Sequence, residues 1–270
     1  NDPSENTANA NGRRKAIKTL AVGATALAAP ALMLKTAHGA SKTIKIGFVS
    51  PKTGPIAAFA EADDFVIAGV KRAIGKGITV GGTLYPVEIV YKDSQSNPNR
   101  AAEVTSQLIN NDKCDIILGS STSDTVNPVA STCELAGVPC VTSDNPWQAY
   151  FFGRKGDPKK GFEWTYHFFW GFDTIAEVFM NMWESVPTNK VVGTLFSNDP
   201  DGIAANEGLP GAYKARGFTV ANQGLYTGTT NDFSAQIAAL KKANAEIVMG
   251  VFTPPAFATF WTQCGDRKST

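Results

Sequence analysis

Five small polar residues, Ser120-Ser121-Thr122-Ser123-Asp124, follow directly on the apolar run Ile116-Ile117-Leu118-Gly119, and this stretch is the best placed in the chain to do chemistry. An apolar run bounded by glycine reads as a strand buried on both faces, and hydroxyl residues at its exit can hold a polar ligand against the start of a new helix. A helix start carries unpaired N–H groups and the positive end of the helix dipole, so a carboxylate or similar anion suits such a loop. Ser, Thr and Asp are also the ordinary helix caps, and the residues by themselves leave both readings open.

Other chemistries find less support. Of the two histidines, His38 lies near the front and His167 lies inside an aromatic run, and no G-x-S-x-G elbow occurs, which disfavours a Ser or Cys hydrolase of the triad type. Carboxylates are plentiful, but no spacing singles out an acid/base pair. Neither G-x-G-x-x-G at a helix start nor G-x-x-x-x-G-K-[ST] is present, so nothing points to a nucleotide cofactor. The four cysteines, Cys114, Cys133, Cys140 and Cys264, have no Cys-x-x-Cys spacing, which argues against zinc. No catalytic residue, metal or cofactor is therefore expected.

The front of the chain reads as an export signal over residues 1–39. Arg13-Arg14-Lys15 precedes a weakly hydrophobic, alanine-rich run from Leu20 to Leu34, and Ala37-His38-Gly39 offers small residues before a cut at Ala40. The paired arginines favour the twin-arginine route over the general one. A membrane-spanning helix fits poorly, because Pro30 and Lys35 interrupt or end a run already short of the roughly 20 residues a span needs. The expected location is therefore periplasmic or otherwise exported. Without the leader the chain carries 20 basic and 22 acidic groups, a formal charge of −2. No basic patch is left to bind nucleic acid. In an oxidising compartment Cys133 and Cys140, which flank the short link Glu134 to Pro139, are the best candidates for a disulfide; the alternative is that both are small buried hydrophobes.

The elements that must position the hydroxyl loop alternate. A strand over Thr43–Val49 leads through Ser50 to Pro55 into a helix over Glu61–Ala73. A glycine-rich turn region (Gly75 to Gly82) then precedes a strand over Tyr85–Tyr91. Asn97-Pro98 opens the next helix, the strand ending at Gly119 follows, and a helix from about Pro128 to Leu135 leads to a strand over Val138–Thr142 and a loop over Ser143–Trp147. Four rounds of strand and helix imply a parallel sheet covered on both faces, with ligands at the carboxyl ends of its strands. A charged loop, Arg154 to Gly161, breaks the rhythm and the aromatic run Phe162 to Phe172 follows it. A second alternating set then begins: helix Ile175–Trp183, strand Lys190–Phe196, exit loop Ser197–Gly202, a helix ending near Gly217, strand Phe218–Tyr226, helix Asp232–Ala243, strand Ala245–Val251 and a helix stopping at Gly265. The expected division is an N-terminal lobe over 40–167 and a second lobe over 168–270.

From Ile44 to Arg267 the chain resembles the branched-chain amino acid (leucine-isoleucine-valine) type of ABC-transporter substrate-binding protein, the type I periplasmic binding proteins. The resemblance rests on Ile46-Gly47-Phe48 through Thr53-Gly54-Pro55, on Lys92 to Pro98, on Ile116 to Gly119, on Ala136-Gly137-Val138-Pro139 and on Thr230 to Ile237. It implies an α/β fold of two Rossmann-like lobes with parallel sheets and an interlobe cleft that closes on a solute, and a membrane permease that reads the closure. It places the anchor for a ligand carboxylate on Ser123, supported by Thr122. The loop that completes the anchor falls on Ser143 to Trp147, bringing in Asp144, Asn145 and Trp147. An aromatic contact falls on Phe59. On the second lobe a tyrosine position of the family is Asp201 here, and the next aromatic position is Phe252 or Thr253. These departures weaken the case for an aliphatic amino acid; an amino acid-like solute, an amide or an aromatic acid fits the remainder. Asp201 either accepts a cationic group or caps its own helix, and Trp170 with Phe168, Phe169 and Phe172 reads first as core and hinge packing. The family's acidic contact for a ligand ammonium would fall beyond Thr270, as would strands completing the first lobe, so a C-terminally incomplete fold is expected. A ligand-sensing receptor on the same fold is the rival to transport.

Overall fold

Chain order and pairing give two parallel sheets built to the same plan. The computed structural model describes residues 42–266, so the expected export signal at 1–39 lies outside the described residues. The first sheet holds β1 (Ile44–Ser50), β4 (Val87–Asp93), β5 (Ile116–Ser120), β6 (Cys140–Ser143) and β7 (Thr165–His167), in the order β4-β1-β5-β6-β7. The second holds β8 (Val191–Ser197), β9 (Thr219–Tyr226) and β10 (Ile247–Val251), in the order β10-β8-β9. All of these pairings are parallel. In each sheet the first strand sits between the second and the third. The chain therefore changes direction beside β1 and beside β8, which leaves a crevice at the carboxyl ends of those strands.

Helices cover the sheets. On the first lie α2 (Pro98–Asn110), α3 (Ser123–Ala136) and the short α4 (Trp147–Gly153), while α1 (Asp63–Ile74) buries none of its residues and is tied to the sheet through Asp63, which accepts from Ser50 and Tyr91; α5 (Phe172–Glu184), α6 (Pro200–Ala215), α7 (Ser234–Lys242) and α8 (Pro254–Asp266) belong with the second. The first core packs Val104 and Leu108 of α2 and Val126 and Val129 of α3 against Val49 and Ile117. Each of these side chains is at most 1% exposed, and a fully buried Val or Leu contributes about 1.5–3 kcal/mol. Across the second sheet, Trp183 of α5 and Leu209 and Tyr213 of α6 pack on Val192 and Phe196, while Phe233, Ile237 and Phe260 form a separate cluster on Leu195.

Three sequence expectations change in detail. The glycine-rich turn region is a hairpin: β2 (Ile78–Val80) pairs antiparallel with β3 (Thr83–Tyr85) across Gly81-Gly82. Both glycines have positive φ (56° and 80°), which this kind of two-residue turn requires. Secondly, α3 starts at Ser123 rather than near Pro128, and Pro128 sits inside it. Finally, no disulfide joins Cys133 and Cys140. Both are buried thiols in the first core, hydrogen-bonded to each other, and that bond together with burial pushes the Cys140 thiol well above its usual range. Each acts as the small hydrophobe of the alternative reading. Among the described residues no helix is long and apolar enough to cross a membrane.

Candidate functional site

The carboxyl ends of five strands converge on one cavity. It encloses about 310 Å³ and is lined by Phe59, Ser121, Thr122, Asp144, Asn145, Pro146, Phe169, Trp170, Phe172, Asp201 and Val251. Phe59 follows β1, Ser121 and Thr122 follow β5, Asp144 to Pro146 follow β6, Asp201 follows β8, and Val251 closes β10. The lining thus draws on the switch points of both sheets, where the chain order reverses. Phe169, Trp170 and Phe172 come from the segment crossing between the sheets.

The turn from β5 into α3 is strained. Ser121 and Thr122 have φ of 73° and 64°, and Asp144 across from them has φ of 63°. A β-branched residue is rarely found there, and such positions cluster where ligands are held. The Thr122 N–H donates to the Asp144 carbonyl at 3.1 Å, tying the two loops together. Thr122 offers α3 no side-chain cap. The cap comes from the other lobe. Asp201 Oδ2 accepts the Ser123 N–H at 3.0 Å, and Asp201 Oδ1 accepts the Ser123 hydroxyl at 2.7 Å. Asn145 Nδ2 in turn donates to Ser123 Oγ at 2.9 Å.

Asp201 is held by its own helix start. Asp199 caps α6 by accepting the Gly202 N–H at 2.8 Å, and Pro200 occupies the first turn, where its missing N–H costs nothing. Gly202 is required: a Cβ there would lie 1.9 Å from the Ser197 carbonyl oxygen at the end of β8. Loss of hydration pushes the Asp201 carboxyl up to about 6. The two bonds from Ser123 pull the other way, while Asp199 and Asp124 push further up. Asp124 is likewise raised, by burial and then by Asp199. Two buried polar atoms near the cavity have no partner among the described residues: Thr122 Oγ1 and Asn145 Oδ1.

Of the residues expected at the site, Phe59, Thr122, Asp144, Asn145 and Asp201 line the cavity, and Ser123 lies directly behind Asp201, 1% exposed. Trp147 and Phe252 do not line it. The Trp147 indole donates to Asp173 at 3.1 Å, at the junction of α4 with α5. Phe252 stacks on Tyr226 and faces an adjoining cavity with Phe257 and Trp261, which Phe59 also borders. Sequence reasoning gave Phe169, Trp170 and Phe172 first to packing; their place on the crossing segment was the available signal. Ser121 and Pro146 belong to the two loops expected at the site without being named as contacts, and Val251, at the end of β10, carries no signal of its own in the sequence. His167 is occupied structurally, its Nε2 bonding the Asn145 carbonyl at 2.8 Å and its ring stacking on Tyr150. Among the described residues no group of three His, Cys, Asp or Glu side chains is arranged to hold a metal ion.

A family model described as periplasmic binding protein matches residues 43–268. Among similar solved structures is a leucine-binding protein from Thermotoga maritima, 22% identical with a TM-score of 0.70, the match covering 84% of this chain and 61% of that one. Another is the substrate-binding protein of a branched-chain amino acid transporter from Streptococcus pneumoniae in complex with isoleucine, at 19% identity and a TM-score of 0.70, covering 85% and 62%. A third is an ABC-transporter solute-binding protein from R. palustris in complex with 4-hydroxybenzoate, at 22% and 0.68, covering 84% and 58%. At these identities the likeness is one of fold. The chain spans about three fifths of the length of these structures.

Proposed function

The chain belongs to the periplasmic binding protein family, and from that premise we propose that it is the exported solute-binding component of an ABC importer, holding a small polar solute between its lobes without altering it. The observation that carries this reading is the cavity itself, whose lining comes from strand exits of both sheets and whose two sides are tied by the Ser123–Asp201 contact. A solute enclosed there gains contacts from the second lobe only on closure, so its binding energy shifts the population toward the closed form. A membrane permease can read that difference. An aromatic, amide or amino acid-like solute suits a cavity of this size with three aromatic side chains from the crossing segment, since binding pockets of about 300 Å³ and above enclose small organic ligands.

Titration calorimetry of the full-length protein against amino acids, amides and aromatic acids, with product analysis of every mixture, tests this. Saturable binding with unchanged solute is expected. Turnover of a bound compound would contradict it.

A further inference from the structure

The start of α3 is the natural seat for an anion, with an unpaired N–H, an adjacent hydroxyl and the positive end of the helix dipole. In this chain that seat is taken. Asp201 fills it with both carboxylate oxygens, on the Ser123 N–H and the Ser123 hydroxyl. What remains for a solute is a cavity whose charged lining residues, Asp144 and Asp201, are both acids, with no Lys or Arg among the lining. Asp124 and Asp199 stand behind Asp201, close enough to raise its carboxyl further. The local potential is therefore negative, and a second carboxylate brought in beside Asp201 would meet repulsion in a partly dehydrated setting, where charges act more strongly than in water.

The uncharged lining points the same way. Asn145 is 2% exposed, and its Nδ2 is committed to Ser123 while its Oδ1, an acceptor, has no partner among the described residues. A donor from the solute would satisfy it, whereas an incoming acceptor would leave it buried and unpaired. Around these groups stand Phe59, Phe169, Trp170 and Phe172. Aromatic faces attract organic cations as well as flat apolar groups.

Resting on the solute-binding reading above, we infer that this site selects a solute with a cationic, hydrogen-bond-donating head on an apolar or aromatic body, and that Asp201 is the specificity-determining residue that excludes a carboxylate head from the start of α3. The solute ammonium sits against the Asp201 and Asp144 side of the cavity, and its body against the aromatic side chains.

Three probes that differ only in the head group test this on the full-length protein: 3-phenylpropylamine as the cation, 3-phenylpropanamide as the neutral form and 3-phenylpropanoate as the anion, each titrated by calorimetry at pH 7.5. The wild type should bind the amine at least tenfold more tightly than the amide and the acid more weakly still. Asp201→Ala should weaken the amine at least tenfold and strengthen the acid at the vacated helix start, with Asp201→Asn as a second variant closer in shape. The wild-type ranking decides the head group even if a variant fails to fold. Preference of the wild type for the acid or the amide, equal binding of all three, or an unchanged ranking in both folded variants would overturn the head-group assignment and leave the solute-binding reading standing. Failure of all three to bind would overturn the head-group assignment, while the solute-binding reading stands or falls on the panel of amino acids, amides and aromatic acids above.

Discussion

The two helix starts that meet across the cleft are built in opposite ways. α6 begins in a self-sufficient manner, with Asp199 as its own cap, Pro200 in the first turn and Gly202 fitted against the end of β8. α3 begins with two residues at positive φ and no side-chain cap of its own, and borrows its cap from Asp201. The self-capped start is a rigid support that carries a carboxylate. The borrowed one is a receptor whose orphan N–H is satisfied only when the second lobe is in place. Strain and missing caps thus fall on the side that receives, and ordinary helix chemistry on the side that delivers.

That contrast can be broken at either end. The largest effect is expected from Gly202→Ala, which drives a methyl group into the Ser197 carbonyl; about 3 kcal/mol or more of stability should be lost on denaturant unfolding. The next is a pH effect. Because the folded value for Asp201 lies above that of the unfolded chain, its contribution is present below about pH 4 and disappears as pH rises through about 6. Discounted for partial exposure, roughly 2 kcal/mol should separate the unfolding free energies at pH 4 and pH 7 on this account. Asp201→Asn should lack that component, whereas the depressed carboxyls of Asp93, Asp115, Glu134 and Asp173 act with the opposite sign at lower pH in both proteins. Asp199→Ala, which removes the cap of α6, should cost about 1 kcal/mol. Thr122→Gly should instead stabilise by roughly 0.5 kcal/mol, since glycine tolerates positive φ and the unpartnered Thr122 hydroxyl is removed. A loss of similar size in both of the last two variants would mean that the two helix starts are not different in kind.

Much of the succession of strands and helices and the strand exits could be read from the residues, because apolar runs such as Ile116 to Leu118 and Val191 to Phe196 are bounded by turn residues and separated by helical periodicity. Placing Ser123 in the loop between β5 and the next helix, and Asp201 on the opposing lobe, followed from that order and from the resemblance. The pairing of the two was not legible. It depends on how two sheets built by separate stretches of chain approach one another, and local pattern carries no record of this. Asp201 was expected to cap its own helix or to accept a cation; the structure has it capping a helix 78 residues away. Pro128 misled for a local reason. Proline is favoured in the first turn, so it signals a start, but here α3 continues through it on the packing of Val126 and Val129. The aromatic crossing segment was ambiguous because Phe and Trp serve packing and binding equally well, and only the fold decides which face is open: Phe168 is 82% exposed while Phe169, Trp170 and Phe172 turn to the cavity.

The most direct test of the account is a carboxyl carbon NMR titration of Asp201 in the full-length protein, alone and with saturating 3-phenylpropylamine. A carboxylate seated between the lobes at the cavity should titrate near 6 in the free protein and move down when the cation binds beside it. An ordinary aspartate value in both samples, unmoved by the amine, would contradict the placement of Asp201 at the shared site.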